Sequence, residues 1–301
     1  MELPESLIAM LARHVETGPD VEAVVEVGGE RLAYRQLWDR AARVAGGLRA
    51  AGVARGDRVA VRYPAGVNWV LAFWGTLMAG GVAVAVNTRS SQPEVEFVLQ
   101  DAGVTVDLAA GSPLPDGDPL VVDGLGLSDV AAFFYTSGTT GNPKGVPTTH
   151  EAFLANAENM LTCLGLPADI GAGLRTLISV PLFHVTGCNS QLLVAARVGG
   201  TSVILPAFDQ AKMIASVPGE RITFIVSVPA IYSLILRRPE FATTDVSAVR
   251  WVGYGGAPIA PALAVSSIEV ESALLAAPGV AEAAVVLKAQ LRKSVEWGAP
   301  L

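Results

Sequence analysis

The chain has 301 residues, of which 51% are hydrophobic and 16% are charged. It therefore has enough apolar material to bury one large core or two smaller ones. Its formal net charge is −7 and no basic run occurs, which argues against nucleic acid as a partner.

Helical and extended patterns alternate from the N-terminus onward. The elements predicted in the first part are, in chain order, a helix over residues 6–15, strands over 21–27 and 30–34, a helix over 35–51 and a strand over 57–63. The first two strands form a hairpin that turns at Gly28 and Gly29. The second helix is amphipathic and ends at Gly52, as helices often do.

One apolar stretch is long enough to suggest a membrane span. Residues 69–86 carry no charge and just reach the required length. The pair Gly80-Gly81 divides them, so we predict a helix through Met78, a glycine turn and a strand over 82–86. This pattern favours a βα repeat over an integral membrane segment, and peripheral membrane contact stays open.

The rest of the chain continues the alternation of strands and helices. Predicted strands cover residues 130–134, 177–181, 201–205, 222–226 and 249–254, and predicted helices cover residues 150–164, 209–217 and 231–238. Such alternation implies an α/β fold in which helices cover both faces of a mainly parallel sheet. Ligands of such sheets bind at the carboxyl ends of the strands.

The segment Tyr135 to Val146 reads Tyr-Thr-Ser-Gly-Thr-Thr-Gly-Asn-Pro-Lys-Gly-Val and is suited to hold a polyphosphate. It lies between a predicted strand and a predicted helix, where a loop can turn several backbone N–H groups toward one anion. Glycines that allow close approach or positive φ are Gly138, Gly141 and Gly145. Donors to phosphate oxygens are Thr136, Ser137, Thr139, Thr140 and Lys144. The segment predicts an enzyme that uses ATP.

The P-loop of kinases and GTPases is the competing interpretation. That loop needs Gly, four residues, then Gly-Lys-Ser/Thr. Here Pro143 precedes Lys144 and Gly145 follows it, so both the glycine before the lysine and the magnesium-binding hydroxyl after it are missing. A P-loop enzyme would also release ADP or GDP. Detection of AMP as the product would therefore exclude a P-loop enzyme.

The twelve residues instead resemble the signature loop of the adenylate-forming superfamily. This superfamily includes acyl-CoA synthetases, aryl-CoA ligases, firefly luciferase and the adenylation domains of peptide synthetases. The resemblance implies that Thr136, Ser137, Gly138, Thr139, Thr140, Gly141 and Lys144 bind the ATP phosphates.

Two later segments, each at a predicted strand end, extend the resemblance. Residues 181–187, Pro-Leu-Phe-His-Val-Thr-Gly, are similar to the family motif in which a histidine or aromatic residue lies against the acyl tunnel. The resemblance implies an acyl pocket of His184, as a gate, Val185, Thr186 and Tyr254. A second segment, similar to the one the family lays along the adenine and the reacting carboxylate, consists of Gly255, Gly256, Ala257 and Pro258.

The resemblance extends to about Val265 and then breaks. The family's Tyr-Gly-x-Thr-Glu motif, which holds the α-phosphate and magnesium, and its ribose-binding Thr-Gly-Asp segment do not occur in the sequence. From Ser266 onward the chain is similar to the middle of the family's small domain. We therefore predict a large N-terminal domain of wound sheets over residues 1–265, incomplete at its end, and remnants of a small α+β domain over residues 266–301.

The adenylation lysine of the family has no counterpart in this sequence. Residues 287–293 are similar to the helix that follows it, and we interpret Lys288 and Lys293 as solvated helix charges. No metal ligand is identified. Either the missing segments belong to a longer polypeptide or the protein lacks them. We favour the longer polypeptide, because both breaks fall where the family has mobile parts.

The resemblance implies ATP-dependent activation of a carboxylic acid to an acyl adenylate. Pyrophosphate leaves, coenzyme A captures the acyl group, and Mg²⁺ assists. Small or apolar residues are expected near the acyl tunnel, namely Val185, Thr186, Val228 and Ala230. They favour a fatty acid, with an aryl acid such as a cinnamate or benzoate as the alternative. A non-catalytic, nucleotide-binding remnant of a ligase is the alternative from another class.

Cysteine usage and the first residues indicate the compartment. Cys163 and Cys188 give neither a disulfide framework nor a metal-binding spacing, so we expect two buried thiols in a reducing environment. The first six residues lack the basic region of a signal peptide, which predicts a cytoplasmic location.

Overall fold

The protein is described here by a computed structural model that covers residues 4–136 and 143–255. Within these residues the helices are α1 (Leu7–Thr17), α2 (Tyr34–Ala50), α3 (Val67–Met78), α4 (Gln92–Asp101), α5 (His150–Cys163), the single turn α6 (Val185–Gly187), α7 (Leu193–Val198), α8 (Gln210–Gly219) and α9 (Pro229–Leu236). The strands are β1 (Glu22–Glu26), β2 (Arg31–Ala33), β3 (Arg58–Arg62), β4 (Val82–Ala85), β5 (Val104–Ala109), β6 (Val130–Thr136), β7 (Lys144–Thr149), β8 (Arg175–Ile178), β9 (Thr201–Ile204), β10 (Phe224–Ser227) and β11 (Trp251–Tyr254).

The described strands form two sheets, in agreement with the predicted domain of wound sheets. The first sheet has the order β11-β10-β8-β9-β1-β2 and the second has the order β5-β3-β4-β6-β7. Each is parallel except at one edge, where β2 runs antiparallel to β1 and β7 antiparallel to β6. The α/β class with helices against the sheets is confirmed. The predicted small domain at residues 266–301 lies outside the described residues.

Helix α3 explains how one chain holds two sheets together. It contacts β1 of the first sheet and both β3 and β4 of the second. A helix between two sheets has no solvent face, and 11 of the 12 residues of α3 are buried, including the stacked rings of Trp69 and Phe73. The apolar stretch that suggested a membrane span is therefore an internal helix followed by β4. Within the described part of the chain, no helix is both long and apolar enough to cross a membrane.

Some elements were not predicted from the sequence. The predicted phosphate loop was placed between a strand and a helix, but β7 intervenes before α5, so the loop joins the two strands of a hairpin. The sequence of β7, Lys-Gly-Val-Pro-Thr-Thr, has no apolar alternation because β7 is an exposed edge strand, where Pro147 is tolerated. Helix α4 and strand β5 were also missed.

The two cysteines differ in exposure. Cys188 is buried, as predicted, and burial raises the pKa of its thiol. Cys163 is exposed at the last residue of α5, so the prediction of a second buried thiol was wrong.

Candidate functional site

A cleft lies where the carboxyl ends of strands from both sheets meet. It consists of two adjoining cavities, of about 470 and about 370 Å³, that share Asn87, Phe183 and His184. The larger cavity is also lined by Ala85, Val86, Ser90, Glu94, Val98, Phe134, Tyr135, Thr136, Pro143 and Val185. The smaller cavity is also lined by Arg89, Val180, Pro181, Thr186 and Val228. The cleft therefore joins residues that follow β4 and β6 to residues that follow β8 and β10, as expected for a ligand site in a wound sheet.

The two ends of the predicted phosphate loop lie opposite each other at the tip of the β6–β7 hairpin. Thr136 pairs with Lys144 in the antiparallel register. Thr136 and Pro143 line the larger cavity, and Lys144 is exposed. The predicted site residues Ser137, Gly138, Thr139, Thr140 and Gly141 lie outside the described residues. The hairpin thus brings Thr136 and Pro143, which flank the predicted loop in the sequence, to the edge of the cleft, and the phosphate contacts themselves stay a prediction.

Tyr135 gives the hairpin a fixed position. Its hydroxyl donates a hydrogen bond to Oδ2 of Asp101 at 2.7 Å, which ties β6 to the end of α4. Burial raises the pKa of Tyr135, and the bond to Asp101 adds to this effect. A Cβ at residue 145 would lie 2.8 Å from Cζ of Tyr135. Gly145 therefore leaves room for the Tyr135 ring. The sequence interpretation assigned this glycine to phosphate approach or positive φ and did not include this reason.

The turn after β8 places His184 between the two cavities. The backbone N–H of Thr186 donates to Nδ1 of His184 at 3.3 Å, so the imidazole caps the short helical turn α6. His184 is exposed and lines both cavities, Val185 lines the larger one, and Thr186, which is buried, lines the smaller one. The structure therefore brings together three of the four residues predicted for the acyl pocket.

Tyr254 and Gly255 lie beside the cleft rather than in its described lining. Tyr254 is 7% exposed and packs in a hydrophobic cluster with Tyr232 and Ile225. The backbone N–H of Gly255 donates to the carbonyl oxygen of Ser227, the last residue of β10. Gly256, Ala257 and Pro258 lie outside the described residues. The roles predicted for these residues at the acyl chain and the adenine stay predictions.

The cleft contains polar residues that sequence reasoning missed. Asn87, Arg89, Ser90 and Glu94 follow β4 and line the two cavities. A strand was predicted over residues 82–86 and ligands bind at strand ends, but the sequence did not show which strands lie next to this one. Arg89 also modifies the expectation of a small or apolar acyl pocket, since this charged residue lines the smaller cavity together with Thr186 and Val228. Ala230, expected near the tunnel, is exposed on α9 and is not in the described lining.

In the stretches 4–136 and 143–255, no group of three or more His, Cys, Asp or Glu side chains could hold a metal ion. The described residues therefore assign no ligand to magnesium.

Two wound sheets with a cleft at the ends of their strands define an α/β protein with a ligand-binding cleft. Residues 11–123 and 111–299 match the profile of the AMP-binding enzyme family, and the chain belongs to this family.

Two curated relatives and one solved structure show which members it resembles. The chain is 35% identical over 292 residues to a feruloyl-CoA synthase of Amycolatopsis, covering 90% of this chain and 58% of that protein. It is 34% identical over 296 residues to the long-chain-fatty-acid–CoA ligase FadD13 of Mycobacterium tuberculosis, covering 87% and 58%. The crystal structure of the inhibitor-bound N-terminal domain of FACL13 from Mycobacterium tuberculosis matches with a TM-score of 0.79 and 31% identity, covering 94% of this chain and 75% of that one. The matched part thus amounts to less than two thirds of each curated relative.

Proposed function

We propose that this protein activates a carboxylic acid with ATP, forms an acyl adenylate and transfers the acyl group to coenzyme A. The cleft between the two sheets carries this proposal, because it lies directly beside the β6–β7 hairpin whose loop has the family's phosphate-binding sequence. Relatives named as CoA ligases for a fatty acid and for ferulate support the same reaction.

The chain's own residues would act mainly by binding and orientation. We infer that the donors at Thr136 to Lys144 hold the outer phosphates of ATP and stabilise the negative charge that gathers on departing pyrophosphate. The acid would lie in the cavities around His184, with its carboxyl group toward the hairpin. Magnesium is expected with ATP and would offset phosphate charge, and the described residues offer it no cluster of three or more ligands.

We further propose that residues 1–265 form the large domain of such a ligase and that residues 266–301 belong to its small domain. The order of the phosphate-loop, His184 and Gly255 segments supports the first part of this proposal, and the likeness of the sequence from Ser266 onward to the family's small domain supports the second.

The acid is a fatty acid or an aryl acid in this proposal. The apolar lining of the cavities by Val86, Val98, Phe134 and Phe183 suits either class. We prefer the fatty acid because a flexible chain can follow two adjoining cavities, whereas an aryl acid needs one compact pocket. A guanidinium at Arg89 would favour an acid with a polar far end, such as the phenol of ferulate.

The test is acid-dependent exchange of labelled pyrophosphate into ATP by the purified chain. Octanoate, palmitate, ferulate and benzoate would be compared, with AMP and the CoA thioester measured by mass spectrometry. We expect AMP and a thioester with one of the acids. Nucleotide binding without exchange would identify a non-catalytic remnant, and ADP as the product would exclude an adenylate-forming reaction.

A further inference from the structure

Gln191 is a buried amide close to the cleft but outside its lining. It has no exposed surface, and both ends of its side chain are hydrogen-bonded. Its Oε1 accepts from Oγ1 of Thr176 on β8 at 3.1 Å, and its Nε2 donates to the carbonyl oxygen of Thr186 at 3.4 Å. Burying an amide is costly unless both ends find partners, so packing alone would be served better by an apolar side chain.

The local backbone explains how the amide reaches these partners. Residues Cys188–Leu192 form a π-helical turn between α6 and α7. Such turns insert one extra residue into a helix and are frequent at functional sites. This turn places Gln191 between the sheet and the carbonyl group of Thr186.

The backbone of Thr186 also contacts His184. Its N–H, which belongs to a different peptide unit from the carbonyl group that Gln191 binds, donates to Nδ1 of His184 at 3.3 Å. A backbone N–H can only donate, so Nδ1 must carry a lone pair and the neutral ring must carry its proton on Nε2. The Thr176–Gln191–Thr186–His184 relay thus consists of separate hydrogen bonds joined through the backbone of Thr186, and it runs from a strand of the sheet to the imidazole between the two cavities.

We propose that Gln191 is a positioning residue that fixes the direction and the tautomer of His184 at the acid-binding cleft. With its proton on Nε2, the imidazole can donate a hydrogen bond from that atom to a carboxylate or acyl oxygen. Gln191 acts only through Thr186 and touches neither cavity in the described lining. The part that concerns the acid rests on the proposed function, whereas the part that concerns the tautomer does not.

The first test reads the tautomer directly by NMR. The chain has three histidines, so the ring nitrogens of ¹⁵N-histidine-labelled full-length protein give a small set of signals, and His184→Asn assigns those of His184. We expect the pattern of an Nε2–H tautomer in the wild type. Gln191→Leu should shift His184 to averaged nitrogens and leave His14 and His150 unchanged. An unchanged His184 pattern would overturn the proposal.

A second pair of variants keeps the test decisive if Gln191→Leu does not fold. Thr176→Val removes only the bond to Oε1 of Gln191, whereas Thr176→Ser keeps a hydroxyl at this position. We expect Thr176→Val to change the His184 signals and Thr176→Ser to preserve them. Equal spectra for the two variants would contradict a relay through Gln191.

The kinetic test separates positioning from general loss of stability. Gln191→Leu should raise KM for the acid by about tenfold and leave KM for ATP within about twofold. Thr76→Val is the matched control, because Thr76 is fully buried and hydrogen-bonded to Ala72 within α3. It should lower stability without changing the ratio of the two KM values. Equal effects of both substitutions on that ratio would overturn the proposal. Absence of acid-dependent AMP formation in the wild type would refute only the proposed function, because the NMR test still decides the tautomer of His184.

Discussion

Nδ1 of His150 accepts a hydrogen bond from the backbone N–H of Leu7 at 3.2 Å, across 143 positions of sequence. This bond fixes the first turn of α1 to the first residue of α5, beside the hairpin that carries the predicted phosphate loop. His150 is 1% exposed, and burial lowers its pKa to about 4, although Asp129 acts in the opposite direction. The folded protein therefore holds this imidazole neutral.

We predict that His150 makes folding stability sensitive to acid. An unfolded chain with a histidine pKa near 6.5 binds the proton more readily than the folded chain, so stability is complete above pH 6.5 and falls as the pH decreases toward about 4. The gap between these two pKa values corresponds to about 3 kcal/mol.

Urea unfolding from about pH 7.5 to about pH 4.5 checks this prediction. His150→Asn keeps an oxygen acceptor near the position of Nδ1 but does not titrate, so its stability should fall less than that of the wild type. The comparison removes the contributions of the carboxylates and of His14, which both proteins share. Identical pH dependence in the two proteins would show that His150 is not the group responsible.

Lys144 should matter for the reaction and not for the fold. It is exposed at the first residue of β7, so its truncation removes little packing. If it holds an outer phosphate, Lys144→Ala should slow acid-dependent pyrophosphate exchange by about 100-fold to 1,000-fold. Lys212→Ala, at an exposed lysine of α8, is the matched control and should have no effect. A rate unchanged by Lys144→Ala would remove the phosphate role from this residue.

Gly187 should be essential for the turn that carries His184. A Cβ at this position would collide with the carbonyl oxygen of Pro181, which is backbone and cannot rotate away. Gly187→Ala should therefore displace the turn, with a loss of about 2 kcal/mol or more in the free energy of unfolding and weaker binding of the acid.

Thermal unfolding and the KM for the acid measure both effects. Gly219→Ala is the matched control, because a Cβ there meets no atom within 4 Å. If Gly187→Ala behaved like Gly219→Ala, the contact with Pro181 would not constrain the turn.

Four charged side chains link β1, β2, β8 and the end of α8 in a closed network. Arg31 contacts Glu22 at 2.7 Å and Glu220 at 2.9 Å, and Arg175 contacts the same two carboxylates, each at 2.9 Å. The side chain of Arg175 is 17% exposed, whereas that of Arg31 is 46% exposed. Because ion pairs contribute more where water is excluded and Arg175 is the less exposed arginine, Arg175→Met should cost about 2 kcal/mol and Arg31→Met about 0.5 kcal/mol. Urea denaturation measures both, and equal losses would show that burial does not distinguish the two arginines.

Much of the fold followed from local sequence. The hairpin at Gly28-Gly29 and the strands near residues 58, 82, 201 and 224 were predicted because their apolar patterns reflect burial on a sheet. Edge strand β7 was missed for the opposite reason, since an exposed strand with Pro147 leaves no such pattern. The π-helical turn at residues 188–192 was also missed, because three of its five residues, Asn189, Ser190 and Gln191, are polar and leave no apolar periodicity to mark a helix.

The candidate site was only half predictable. The phosphate loop and the turn at His184 were found because each is a continuous segment with distinctive chemistry. Asn87, Arg89 and Glu94 were not, because each is an ordinary polar residue until β4 is placed beside β6 and opposite β8.

The sequence by itself determined the α/β class, the family and the location of the predicted nucleotide-binding motif, since these depend on local periodicity and on residues close together in the chain. Only the tertiary structure decided which strands pair in each of the two sheets and that α3 lies between them. It also decided that a buried amide at Gln191 supports the imidazole of His184. These features depend on which distant segments pack together, and that choice is made by the burial of whole helices and strands rather than by any short stretch of sequence.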